Sequence, residues 1–150
     1  MRQFARFRPA VDRRTLLWVS FATWGTVGVV LSIVAVLWLT EAEPADAVVP
    51  AVLGLAAAPV IHRFGFSRIV ARNLRRIATL PERACVFGWQ PWRSYLLLAV
   101  MMTTGYLLRH SDLPRPWLAL VYLAIGGALA LSSTGYARAA VRDRGAARGP

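Results

Sequence analysis

Leu108-Arg109-His110-Ser111-Asp112 sets a base, a hydroxyl and a carboxylate side by side. Histidine titrates near neutrality, and an adjacent carboxylate can orient it, so the cluster has the makings of a proton-transfer or metal site. A plainer reading competes with this. In a polar exit turn, Asp112 or Ser111 caps the helix that begins after Pro114, and Arg109 snorkels to lipid headgroups. His62 is the only other histidine, and the topology derived below puts it on the opposite side of a membrane, so the two share no metal. Cys85 is the only cysteine, which excludes an internal disulfide and a multi-thiolate metal site. Its neighbour Arg83 favours a thiolate, but the loop offers no histidine base nearer than His62. Val86, Phe87 and Trp89 beside it suit a packed thiol or a juxtamembrane palmitoyl site. These residues predict no catalytic centre, no metal and no cofactor.

A different pattern concerns packing. Gly54 and Ala58 lie four residues apart, and Gly126, Ala130 and Ser133 repeat at similar spacing, as small-xxx-small faces do. Such faces let helix backbones approach closely where no water drives association. Gly54 and Ala58 are expected inside a bundle, whereas Gly126, Ala130 and Ser133 could also meet a partner. Met101-Met102 and Thr103-Thr104 read as packing residues, with hydroxyls bonded to the preceding turn.

The elements that carry these residues are apolar runs. The chain is 150 residues long and 57% hydrophobic, with a mean hydropathy of +0.47. One domain suffices at this length, and the runs are those of an integral membrane protein. Four spans are predicted, over 15–40, 45–61, 92–109 and 116–136. The first has no charged residue across Thr15–Thr40 and would be ~39 Å long as a helix, more than a hydrocarbon core needs. It also exceeds the apolar run of a signal peptide, so it reads as an uncleaved anchor. The second is weaker and holds Pro50 and Pro59, which should kink it. The segments 1–10 and 140–150 read as flexible tails.

Arginine placement decides whether the second run spans. All 18 basic residues are arginine: five in 1–14, seven in 62–93, two in 109–115 and four in 137–150. Segment 41–46 carries Glu41, Glu43 and Asp46 instead. With four crossings, 16 arginines share one side and two the other; with three crossings the split is near even. The positive-inside bias therefore predicts an all-α four-span bundle, up-down-up-down, with both termini in the cytoplasm. Exclusive use of arginine and abundant alanine fit a high-GC bacterial genome, so the membrane is expected to be the bacterial inner membrane. Trp18, Trp38, Trp89, Trp92 and Trp117 lie near span ends, as interfacial rings do, and Trp24 is the exception.

Between the second and third spans a basic amphipathic helix is predicted over 67–80. At about 100° per residue, Arg68, Arg72, Arg75 and Arg76 share one face, while Phe66, Val70, Leu74 and Ile77 gather on the other. Pro81 ends it. Such a helix should lie at the membrane surface, each arginine worth about 1 kcal/mol against anionic headgroups. A nucleic-acid surface is the other use of so basic a segment, but no recognition module accompanies it and the apolar face would be stranded in water.

From Leu80 onward, LPERACVFGWQPWRSYL, MMTTGYLLRHSDLP and LVYLAIGGALALSS together resemble a pattern in small uncharacterised bacterial membrane proteins. The resemblance covers about residues 80–134, implies the topology of the last two spans, and carries no known activity.

No charged residue lies inside the apolar segments of the four spans, Thr15–Thr40, Ala47–Ile61, Ser94–Leu108 and Pro116–Tyr136, which counts against a proton-coupled pump or an ion path. The expectation is a non-enzymatic accessory, assembly or scaffolding component of a membrane complex. Its partners would be anionic lipids and a membrane protein or a second copy of itself. The rival readings are a membrane-embedded enzyme or carrier for a lipid-like molecule, with Arg109, His110 and Asp112 at its rim, and a subunit of an oligomeric channel.

Overall fold

A computed structural model describes residues 10–79, 83–85, 102–103 and 105–146. Strand β1 (Ala10–Asp12) precedes helix α1 (Arg13–Glu41), followed by α2 (Pro44–Ile61), a π-helical turn (His62–Phe66), α3 (Ser67–Thr79), strand β2 (Arg83–Cys85) and α4 (Arg115–Ala146). The two short strands pair antiparallel, Ala10 opposite Cys85 and Asp12 opposite Arg83. Everything else in these elements is helical. Among the described residues, three helical runs are long and apolar enough to cross a membrane: α1, the continuous run Pro44–Thr79, and Arg115–Asp143 of α4. Most of the expected span 92–109 lies outside the described residues, of which 102–103 and 105–109 are helical.

Helix α4 is the central element. It packs along both α1 and α2, which scarcely touch each other. Its chain direction is opposite to that of α1: Trp24 stacks near Tyr136, Trp38 meets Tyr122, and Glu41 pairs with Arg115 at 2.8 Å. It is parallel to α2, since Gly54 faces Leu120 and Leu123, and Ala58 faces Gly127. The α1 contact runs through Leu17, Phe21, Trp24, Gly28, Leu31, Ala35 and Trp38, alternating three- and four-residue steps. Ala119, Tyr122, Gly126, Leu129, Ser133, Tyr136 and Ala140 do the same on α4. A mean step of 3.5 residues is the seam of a left-handed helix pair. The opposite faces of α1 and α2 expose Val29, Val30, Ile33, Leu37, Val52 and Leu55. An apolar surface of that extent suits acyl chains and not water.

The seam closes because it is narrow at its middle. A Cβ on Gly28 would lie 2.6 Å from the Ala130 backbone nitrogen, and one on Gly126 2.8 Å from the Gly28 carbonyl oxygen. The helix backbones are thus in contact, which only small residues permit. Hydroxyls along the seam are satisfied within their own helices: Ser20 donates to the Leu16 carbonyl, Ser32 to Gly28 and Ser133 to Ala130, at 2.7, 2.9 and 2.7 Å. That back-bonding lets serine enter an apolar contact without an unpaired group.

Helix α2 begins with Pro44 in its first turn, where a missing N–H costs nothing, and Asp46 complements the helix dipole there. The helix continues through Pro50 and Pro59. Disturbance appears just after Pro59: the His62 N–H is shared between the Ala58 and Pro59 carbonyls, and the Ser67 N–H reaches back five residues to His62. The wide turn holds one residue more than an α-turn and so re-phases the helix that follows. Phe66, Val70, Leu74 and Ile77 of this stretch then meet Leu17, Trp24, Tyr136 and Ala140 in the main core cluster.

Two expectations need correction. The segment 140–150 is not a flexible tail from its start, because α4 extends to Ala146. Its apolar phase persists past Tyr136, and Ala140 is fully buried against α1 and α3. Neither Asp112 nor Ser111 caps α4. The Pro114 carbonyl accepts from the N–H groups of Trp117 and Leu118, and the Ser111 hydroxyl donates instead to the Leu108 carbonyl at 2.7 Å.

Candidate functional site

Charge is segregated by the fold. Arg13 and Arg14 open α1, Arg63 lies in the π-helical turn, Arg68, Arg72, Arg75 and Arg76 line α3, and Arg138 and Arg142 lie near the end of α4. Core contacts among Leu17, Val70, Ile77, Tyr136 and Ala140 draw these segments to one end of the molecule. At the far end Glu41, Glu43, Asp46 and Asp112 are exposed, with Arg109 and Arg115. More than four-fifths of the chain's length separates Arg13 from Arg138 and Arg142 in sequence, yet antiparallel α1 and α4 bring them together.

The arginines expected to meet headgroups, Arg68, Arg72, Arg75 and Arg76, are all exposed on the outer face of α3. The apolar face of that helix is packed on protein, not left for acyl chains. Ile77 is fully buried and Val70 nearly so. The side of α3 left open to its surroundings is the arginine face, with the long stems of those side chains.

Beneath α3 lies a polar layer that the sequence reading missed. Asn73 donates its amide N–H to the Tyr136 hydroxyl at 3.1 Å, with both residues buried. Asn73 interrupts the apolar stripe of α3 at a core phase, and that interruption was the available signal. One step along, His62 Nδ1 lies 2.8 Å from the Ser132 hydroxyl, whose own proton goes to the Ala128 carbonyl at 2.6 Å. With that proton spent, Nδ1 is the donor, which fixes the tautomer. Trp24 closes the layer, edge-on to Phe66 at 5.6 Å and tilted against Tyr136 at 5.8 Å. This explains why Trp24, unlike Trp18 and Trp117, is not at a surface. The layer joins three helices through satisfied hydrogen bonds, and its members act as structural ties.

The small residues are consumed by internal packing. Gly54 and Ala58 face α4, and Gly126 and Ser133 face α1. A Cβ on Gly25 would meet the Ser133 hydroxyl at 3.6 Å, and Ser32 meets Gly126. Ala130 also faces Gly28 while remaining partly exposed. Gly25, Gly28 and Ser32 supply the complementary face, and their spacing in the first span is the signal that could have identified them.

The rim residues at the acidic end do not converge. His110 Nδ1 donates to the Tyr106 carbonyl at 2.9 Å, and its ring stacks on Tyr106 with centroids 4.1 Å apart. Arg109 lies over the Trp38 ring at 5.7 Å. Among the described residues no hydrogen bond joins His110 to Asp112, and no cluster of three metal-type ligands occurs. The side chains of Arg83 and Cys85, and Met101 and Thr104, lie outside the described residues; Met102 and Thr103 are exposed. No family model, curated protein or solved structure matches the chain.

Proposed function

We propose that this protein is a non-enzymatic component of a bacterial inner-membrane assembly, an accessory or scaffolding subunit held in place by its spans and by an arginine face on anionic lipid. The observation that carries the reading is the polarised charge: arginines from α1, α3 and α4 gather at one end, and the acidic residues Glu41, Glu43 and Asp46 occupy the other. By the positive-inside bias the arginine end is cytoplasmic, and with it both termini.

Two contacts favour four crossings in the same orientation. Residues Arg83–Cys85 pair with the segment just before α1, whereas Arg109 lies over Trp38, near the other end of α1. Those points are about 40 Å apart along the helix. On this reading the chain crosses once more between them, with α1, α2 and α4 as three of four spans. Because Gly54, Ala58, Gly126 and Ser133 are already occupied, a partner subunit would dock on the outer apolar faces of α1 and α2.

Purification from native membranes in mild detergent after crosslinking tests this reading. The expected result is a stoichiometric membrane-protein partner. A solitary monomer, under conditions that preserve known complexes, refutes it.

A further inference from the structure

At the arginine end, the start of α1, one side of α3 and the end of α4 line a shallow, open cleft of about 550 Å³. Arg13, Arg138 and Arg142 line it, with Leu74, Gly135 and Ala139 as the apolar part and Asp143 as the one acid. Arg138 and Arg142 lie one helical turn apart, so they share a face of α4 and repel. Asp143 makes no ion pair with these arginines among the described residues. The Nε of Arg13 is buried and has no hydrogen-bond partner there either. A buried donor on a cation without an acceptor is costly, and three arginines against one aspartate in the lining leave the cleft cationic.

We infer that this cleft is a phosphate-binding site, in which Arg13, Arg138 and Arg142 hold one phosphate group. Guanidinium forks match phosphate oxygens in pairs, and an anion here would relieve the Arg138–Arg142 repulsion and give Arg13 Nε an acceptor. The cleft is within the size range of small-molecule sites and larger than a bare phosphate needs, with room for a phosphodiester headgroup. Its position on the arginine end rests on the headgroup reading above, but its residues are not those of the exposed α3 face. A discrete site predicts saturable, stoichiometric binding, whereas an arginine surface predicts diffuse enrichment.

The test reconstitutes the full chain in nanodiscs of phosphatidylcholine doped with phosphatidylglycerol, releases it in mild detergent and counts retained lipid by native mass spectrometry. One retained phosphatidylglycerol per chain is expected. The Arg138→Gln/Arg142→Gln variant, which alters only exposed residues, should weaken retention about tenfold or more. Arg13→Gln should do likewise, with helicity by circular dichroism confirming the fold. Arg72→Gln/Arg75→Gln should leave retention unchanged. A parallel arm adds millimolar inorganic phosphate to detergent-solubilised protein. Thermal stabilisation that the cleft variants abolish assigns the site to free phosphate and supports it equally. Retention lost in Arg72→Gln/Arg75→Gln but kept in the cleft variants overturns the site while leaving the lipid-facing function intact. Absence of stoichiometric binding in both arms also overturns it.

Discussion

Replacing Gly126 by alanine adds one methyl group at the narrowest point of the α1–α4 seam. That methyl would sit 2.7 Å from the Ser32 hydroxyl oxygen, 2.8 Å from the Gly28 carbonyl oxygen and 2.9 Å from the Ser32 backbone nitrogen. The serine hydroxyl can rotate, but two of the three neighbours are backbone atoms and cannot. Relief to ordinary contact requires the helices to separate by roughly 0.6 Å, a gap that forfeits about a quarter to a half of each dispersion contact nearby. The net cost should be about 1–3 kcal/mol, after crediting alanine with about 1 kcal/mol of helix propensity over glycine. Gly28→Ala should cost as much or more, since its methyl meets only backbone, at 2.6, 2.7 and 3.1 Å. The two costs should be less than additive, because both are paid by one separation. Gly25→Ala, with its nearest contact at 3.6 Å, and Gly65→Ala, with nothing within 4 Å, are the controls and should be neutral or mildly stabilising. Unfolding in mixed detergent titrated with sodium dodecyl sulfate, followed by circular dichroism, measures all five proteins. If Gly126→Ala and Gly28→Ala unfold at the same detergent fraction as the controls, α1 and α4 are not in backbone contact and the reading of the seam is wrong.

Three further outcomes are expected. Tyr136→Phe leaves the buried Asn73 amide without its acceptor and should cost about 1–3 kcal/mol in the same assay, whereas Asn73→Leu combined with Tyr136→Phe should recover most of the loss. Substituting Arg68, Arg72, Arg75 and Arg76 together by glutamine should leave the unfolding midpoint nearly unchanged, because all four are exposed, yet lower the anionic-lipid enrichment around the protein in polymer nanodiscs; equal enrichment would remove the headgroup role of α3. Glu41→Gln breaks an exposed ion pair with Arg115 and should cost no more than about 1 kcal/mol, diminishing further in high salt.

Much of the fold was legible before any coordinates. Apolar runs located α1 and α2 to within a residue or two, because length and the absence of charge are properties of the chain itself. The amphipathic phase of Ser67–Thr79 was equally readable, since Arg68, Arg72, Arg75 and Arg76 sort to one side at any helical period near 3.6. The end of α4 was misjudged: 140–150 reads as a flexible tail, while Tyr136, Ala139 and Ala140 continue the buried face up to and into that segment. His62, Ser132, Asn73 and Tyr136 were invisible as pairs, being separated by more than 60 residues in each case.

Hydropathy and the distribution of arginine are one-dimensional quantities, so the sequence alone determined that this is a helical membrane protein with a basic end. The tertiary structure decided what each face of each helix meets. Gly126, Ala130 and Ser133 were readable as a close-packing face, but not as the face that α1 occupies through Gly25, Gly28 and Ser32. The apolar side of α3 could equally have met lipid or protein. Such choices depend on the rotation and depth of one helix against another. In a bilayer they are set by where backbones approach most closely and where polar groups find partners, and neither is recorded along a single strand of residues.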